Sequence, residues 1–144
     1  KQRGFISADI EYLRHRASRF NSQNEQPTSD EKAYYKSLNQ VIKNEYKSTF
    51  NFRIGGELKY DVFMGRLGFA YYSNPYMDKA FKANQMLLSG GLGYRNRGFF
   101  LDFTYVYGIK KDIDLPYRLE DRANTFASLK QIQQNVYATL GIKF

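Results

Sequence analysis

The sequence predicts an all-β protein, a transmembrane antiparallel β-barrel segment of about six strands with one short amphipathic helix in a loop. Three observations predict it. Apolar residues alternate with polar or small ones in six separate stretches, which is the period of a strand whose two faces meet different surroundings. The connections between those stretches alternate between long and short. Tyr (13) and Phe (12) are abundant, Trp and Cys are absent, and the 11 Gly are scattered through apolar stretches instead of gathering in linkers, a composition that suits strands.

The first strand covers residues 5–14, with Ile6, Ala8, Ile10 and Tyr12 opposite Ser7, Asp9 and Glu11. A connection of about thirty residues, 16–46, follows and holds one helical pattern. Thr28 or Ser29 serves as N-cap, Asp30 and Glu31 lie in the first turn, and Tyr34, Tyr35, Leu38, Val41 and Ile42 recur at spacings of three and four. This reads as an amphipathic helix lying over a barrel mouth. It either packs the loop against the rim or helps collect a ligand through those five residues.

The second strand, 49–62, is the clearest. Phe50, Phe52, Ile54, Gly56, Leu58, Tyr60 and Val62 share one face, while Asn51, Arg53, Gly55, Glu57, Lys59 and Asp61 share the other. Thirteen alternating residues exceed the roughly five or six of a usual soluble strand and suffice for the roughly nine to eleven of a tilted membrane strand. A tight turn at 63–65 leads to the third strand, 66–73, where Leu67, Phe69 and Tyr71 oppose Gly68, Ala70 and Tyr72. After a connection of about ten residues, the fourth strand, 86–95, sets Met86, Leu88, Gly90, Leu92 and Tyr94 against Leu87, Ser89, Gly91, Gly93 and Arg95.

A tight turn at 96–98 leads to the fifth strand, 99–109, with Phe99, Leu101, Phe103, Tyr105 and Tyr107 opposite Phe100, Asp102, Thr104, Val106 and Gly108. The last connection, 110–133, has about twenty residues. The sixth strand, 134–144, sets Val136, Ala138, Leu140, Ile142 and Phe144 against Asn135, Tyr137, Thr139, Gly141 and Lys143. Outer-membrane barrels have short periplasmic turns and long extracellular loops, so this order places every long connection outside if the C-terminus is periplasmic. A soluble sandwich also alternates, but its strands are short and it does not enforce one-sided loops.

No run approaches the roughly 18 to 20 consecutive apolar residues of a membrane helix, which excludes helical spanning. A barrel stays open because only alternate residues of its strands face lipid. The net charge of +8 is spread over every segment, whereas a nucleic-acid reader gathers its cations on one face; no nucleic-acid partner is expected. Absence of Cys removes disulfides, thiolate metal sites and cysteine nucleophiles. The chain starts at Lys1 without an initiator Met or a signal peptide, so it reads as a mature product or a fragment, with the fragment favoured.

The inward face is expected to carry a polar network of Asp9, Glu11, Arg53, Glu57, Lys59, Arg95 and Asp102. Asp9 and Glu11 also suit a paired-carboxylate or cation site, but ion pairs with inward Arg and Lys are favoured because an unpaired charge in a narrow lumen is costly. His15, the single histidine, lies between Arg14 and Arg16 where a solvated loop edge is expected, and a general base there lacks a nameable partner. Tyr12, Tyr60, Tyr71, Tyr72, Tyr94, Tyr105 and Tyr107 fall near strand ends and read as interfacial girdle residues. Gly55, Gly91 and Gly93 face inward, where small residues let a neighbouring segment approach. No catalytic, cofactor-binding or metal-ligating constellation is present in the sequence, so no enzyme and no cofactor is expected.

The segment Val136-Tyr137-Ala138-Thr139-Leu140-Gly141-Ile142-Lys143-Phe144 resembles the C-terminal assembly signal of outer-membrane barrels. That resemblance implies the barrel-assembly machinery as a partner, with Val136, Ala138, Leu140, Ile142 and Phe144 as the residues read. Phe52-Arg53-Ile54-Gly55-Gly56-Glu57-Leu58-Lys59-Tyr60, Arg66-Leu67-Gly68-Phe69-Ala70-Tyr71-Tyr72-Ser73-Asn74-Pro75-Tyr76, Ser89-Gly90-Gly91-Leu92-Gly93-Tyr94-Arg95 and Phe99-Phe100-Leu101-Asp102-Phe103-Thr104-Tyr105 resemble the FadL-like family of outer-membrane transporters for hydrophobic compounds. The branch labelled haemin receptors is the most similar, although the single His15 is a poor basis for an axial ligand.

The resemblance covers most of the chain from about Phe5 onward. It implies a barrel of about fourteen strands plugged by an N-terminal hatch, of which this chain is the C-terminal part, residues 1–144 forming one domain segment. It further implies location in the bacterial outer membrane and passive uptake of hydrophobic small molecules such as long-chain fatty acids, with lateral exit. The implied partners are outer-membrane lipids, a hydrophobic ligand, and the missing N-terminal part or another barrel chain. Two rivals stand beside it: a non-transporting barrel acting as accessory or surface-binding subunit, and a membrane-embedded hydrolase or acyltransferase, which would need a Ser or Asp beside His15.

Overall fold

Residues with two-fold periodicity build strands, and the chain resolves that periodicity into β1 (Gly4–Arg14), β2 (Ser48–Tyr60), β3 (Phe63–Tyr72), β4 (Gln85–Asn96), β5 (Phe99–Asp114) and β6 (Ala127–Ile142). A 3-10 turn (His15–Ala17) and the helix α1 (Ser29–Glu45) lie between β1 and β2. The computed structural model describes residues 3–114 and 125–142. All six strands join one antiparallel sheet in the order β1-β2-β3-β4-β5-β6, each paired with its neighbours in sequence. β1 and β6 do not pair with each other, so the sheet is open. The fold is therefore all-β with one short helix, the form of a partial barrel wall.

Register decides which residues share a face. One cross-strand row runs Ala8, Ile54, Phe69, Leu88, Tyr107 and Gln134; the adjacent row runs Asp9, Arg53, Ala70, Leu87, Gly108 and Gln133. The first row belongs to an apolar face that includes Ile6, Leu58, Leu67, Leu92, Phe103 and Leu140. The second belongs to a polar and small face. A one-residue slip in any pair would exchange the two.

Burial is inverted relative to a sheet folded in water. Met64, 3% exposed, is the one large apolar side chain buried among the described residues; Thr49 and Asn51 are buried elsewhere on the sheet. Leu67 is 75% exposed, Leu58 76%, Leu92 72% and Ile6 82%. Among the described residues nothing packs over the apolar face.

The two tight turns differ from the sequence expectation at one end. Tyr60 pairs with Phe63, so Asp61 and Val62 alone make the first turn, and residues 63–65 belong to β3. Asp61 takes a positive φ of 52°, which two-residue hairpins require and which Asp tolerates better than most residues. Gly65, the last residue of the expected turn, sits in the ladder opposite Leu58 and Leu92. The second turn is Arg97-Gly98, with φ of 40° and 86°, the twist that matches flanking strands.

β5 and β6 run further than their alternation suggested. Pairing continues to Asp114 and Ala127, so much of the span 110–133 is a hairpin and not a loop. Lys110, Lys111, Lys130, Gln131, Gln133 and Gln134 remove the apolar face from that part, and backbone ladder bonds form without one. The apolar outward run of β6 begins at Val136, as the alternation indicated. Lys143 and Phe144 lie outside the described residues.

Candidate functional site

On the polar face, β2 and β3 carry two guanidinium groups, and each collects two carboxylates. Arg53 stands opposite Asp9 in the register. Its Nη2 donates to Glu11 Oε2 at 2.7 Å, and Nε lies 3.4 Å from Asp9 Oδ2 without a hydrogen bond. Asn51 Nδ2 donates to the same Glu11 oxygen at 3.1 Å, and the Arg53 guanidinium sits 5.7 Å above the Tyr72 ring. The β1–β2 seam is thus crossed by a charge-assisted network.

The second cluster spans four strands. Arg66 Nε donates to Glu57 Oε2 at 2.7 Å on β2, and Arg66 Nη1 donates to Asp102 Oδ1 at 2.9 Å on β5. β4 lies between β3 and β5, and its residues under this bridge are Gly91 and Gly93. A Cβ on Gly93 would stand 2.5 Å from Asp102 Oδ1 and 2.9 Å from Met64 Cε. The missing side chains on β4 are what let Arg66 and Asp102 meet.

Of the seven residues expected in the polar network, Asp9, Glu11, Arg53, Glu57 and Asp102 enter ion pairs, in two separate clusters. Lys59 and Arg95 lie on the same face but join no ion pair among the described residues; Arg95 stacks 5.4 Å above the Phe100 ring. Arg66 was missing from the expected set although it is the centre of the second cluster. The expected turn at 63–65 makes Arg66 the first residue of the third strand, whereas the shorter Asp61-Val62 turn sets it opposite Glu57.

His15 is not a solvated edge. It is half-buried, and its Nε2 hydrogen-bonds Thr49 Oγ1 at 3.1 Å, Thr49 being 4% exposed. This contact ties the 3-10 turn to the start of β2. Among the described residues the ring of His15 hydrogen-bonds Thr49 and no Ser or Asp side chain.

The girdle assignment divides. Tyr12 pairs with Phe50 at 4.8 Å at one end of the apolar face, and Phe63, Tyr94 and Phe99 stack at the other. Tyr72 faces the polar side beneath Arg53. Tyr105 and Tyr107 lie at mid-height opposite Gly90 and Leu88, because β5 is longer than it reads, and Tyr105 donates to Gln134 Oε1 at 3.2 Å.

α1 begins with a capping box: Thr28 Oγ1 accepts from Glu31 N at 3.3 Å, and Glu31 Oε2 accepts from Thr28 N at 3.0 Å. Asn39 then clamps the preceding segment, its Oδ1 accepting from Phe20 N at 2.7 Å and its Nδ2 donating to Phe20 O at 2.9 Å. Tyr34 and Val41 are exposed, and Tyr35, Leu38 and Ile42 half-exposed; no residue of α1 is buried. The helix rests mainly on the 3-10 turn and residues 18–28, and its Lys43 lines a hollow with Tyr12 and Ser48 at the sheet's edge.

At the same end the 73–84 connection is bound to the C-terminus of α1 by Lys47 N to Pro75 O and Met77 N to Glu45 O, both 2.8 Å. Tyr46, Tyr76, Phe81 and Phe126 stack in sequence. Burial, with Tyr46 alongside, raises the Tyr76 phenol above its ordinary value.

The apolar face carries a hollow of about 650 Å³ floored by Gly56, Gly65 and Gly90 and walled by Leu58, Leu67, Leu92 and Phe103. Its size falls in the range of small-molecule sites, roughly 300 to 1,000 Å³. The groups of His, Asp and Glu among the described residues hold no candidate metal site. Comparison with known proteins finds no family model, no characterised protein and no solved structure that matches this chain.

Proposed function

We propose that this chain is part of the wall of an outer-membrane β-barrel that takes up hydrophobic small molecules, such as long-chain fatty acids, by passive diffusion with lateral exit into the bilayer. The observation that carries the membrane reading is the inversion of the sheet: large aliphatic residues stand exposed on one face while the paired charges of Arg53 and Arg66 lie on the other. Water would drive such a face into a core, and lipid would not. From Phe50 to Tyr60, eleven residues rising about 3.3 Å each and tilted about 40° span about 28 Å, close to the roughly 25 Å apolar band of such barrels.

The polar face is then the lumen lining, and the long connections gathered beside Tyr46 and Tyr76 are extracellular. The class of cargo rests on the resemblance to FadL-like transporters. The glycine-floored hollow is compatible with a chain leaving through the wall, since it offers an acyl-sized site on the lipid side.

The chain has no Cys, so single cysteines at Leu58, Leu67, Leu92 and Leu140 in the full-length protein report their surroundings. In vesicles they should react with a membrane-soluble maleimide and be spared by a charged one, whereas a cysteine at Gln131 should react with both. Rapid labelling at Leu67 by the charged reagent would refute the membrane reading. Uptake of a fluorescent fatty acid by cells producing the full-length protein addresses the cargo, and equal uptake with and without the protein would favour a non-transporting barrel.

A further inference from the structure

The cations of this chain differ in whether a carboxylate meets them. Arg53 and Arg66 on the polar face are matched with carboxylates. A second group, Arg14, Arg16, Arg19 and Lys43, is not; none of the four joins an ion pair among the described residues. These four line one hollow of about 430 Å³ together with Tyr12, Ala17 and Ser48, and no carboxylate contributes to it.

The position of that hollow gives it meaning. Arg14 and Ser48 pair at the end of the β1–β2 ladder, two residues beyond Tyr12 and Phe50, whose rings stack at 4.8 Å. By strand alternation Arg14 shares the outward face with Tyr12 and Ile10. The order along the outward face is therefore aliphatic, aromatic, cationic, which is the order of acyl chain, interface and headgroup in a leaflet. The cluster is held in place: His15 is bonded to Thr49, Arg19 Nη1 donates to the carbonyls of Arg16 at 2.9 Å and Ser18 at 2.7 Å, and Asn39 fixes Phe20 to α1.

We propose that Arg14, Arg16, Arg19 and Lys43 form a binding site for the phosphorylated headgroups of anionic lipids in the outer leaflet, on the external rim above β1 and β2. The inference rests on the membrane reading and adds a ligand class to a surface which that reading leaves without one. Guanidinium forks match phosphate oxygens in pairs, and a site flush with the headgroups gains from the local concentration of lipid phosphate. Lipids bound there would order the long β1–β2 connection and α1 against the membrane surface.

The test compares the full-length protein with its R14Q/R16Q/K43Q variant, Arg19 being left because it also holds the turn. Protein in a neutral detergent is titrated with phosphatidate and read by native mass spectrometry. With three cations removed from a phosphate-binding rim, the variant should lose at least about tenfold in apparent affinity, and added salt should weaken the wild type more than the variant. K79Q/K82Q, on the 73–84 connection, should bind as wild type. R14K/R16K guards against misfolding, since it keeps the charge and should retain most of the binding. Equal affinity in wild type and R14Q/R16Q/K43Q overturns the proposal, as does competition by inorganic phosphate as effective as by phosphatidate, which would make it a free-anion site. Failure of the wild type to require detergent at all would remove the membrane reading and this proposal with it.

Discussion

Arg66 serves Glu57 and Asp102 with one guanidinium, and those carboxylate side chains are only 15% and 16% exposed. Arg53 serves Glu11 at the same distance, but there both partners are about 40% exposed. The two clusters should therefore respond differently to loss of the cation. Removing one partner of a fully buried pair costs about 3–5 kcal/mol; with Arg66 37% exposed, Arg66→Ala should cost less than that but more than Arg53→Ala, since solvent screens part of the interaction. Arg53→Ala should cost under about 1 kcal/mol, as exposed pairs do. Denaturant unfolding of the full-length protein, followed by heat-modifiable migration, compares the two; an equal loss for both would show that solvent reaches the Arg66 cluster as freely as the Arg53 pair. The double change Glu57→Gln with Asp102→Asn in the Arg66→Ala background should recover most of the loss, because it removes the stranded charges.

At the scale of the strand, lipid and water assign opposite magnitudes to one substitution. Leu67 is 75% exposed in mid-sheet between Gly56 and Gly90. On a soluble sheet, Leu67→Arg would fall within about 0.5 kcal/mol; at the middle of a lipid face it should cost about 2–4 kcal/mol. Assembly yield and unfolding midpoint of that variant, set against Gln131→Arg in the outer part of β6, decide between these values. The strands themselves were legible in the sequence because alternation is a direct record of two unlike faces, clearest at Phe50 through Tyr60. What was not legible had specific causes. β5 and β6 continue to Asp114 and Ala127 with polar residues on both faces, so periodicity carries no signal there. The expected turn at 63–65 lies two residues late, since Asp61 supplies the positive φ. That one shift of the turn hid Arg66, since the partner of Glu57 follows only from the register. The carboxylates at Asp9, Glu11 and Asp102 were legible as inward, but not the fact that glycines on β4 let Asp102 reach across to β3.

For the whole molecule the decisive feature is the pair of free edges. Among the described residues β1 and β6 each have a partner strand on one side only, and in hydrocarbon each unsatisfied N–H or C=O group costs several kcal/mol, which is why only closed barrels span membranes with strands. The six strands fall below the eight or so of the smallest membrane barrels, so the proposed function requires further strands, from the same polypeptide or another, to join β1 to β6. In water the same sheet faces a different difficulty. Its exposed Ile6, Leu58, Leu67, Leu92 and Leu140 form a continuous apolar surface, and its two edges are templates for pairing with other copies. Residues 1–144 produced alone should therefore aggregate or remain dispersed only in detergent, and analytical ultracentrifugation with and without detergent measures this directly. A monodisperse, detergent-free monomer with the far-UV signature of a sheet would mean that the apolar face is covered by something other than lipid. On the barrel reading, joining β1 to β6 through further strands should convert the same residues into a heat-modifiable species whose outward cysteines are shielded from water, because closure removes both edges and leaves the bilayer to cover the wall.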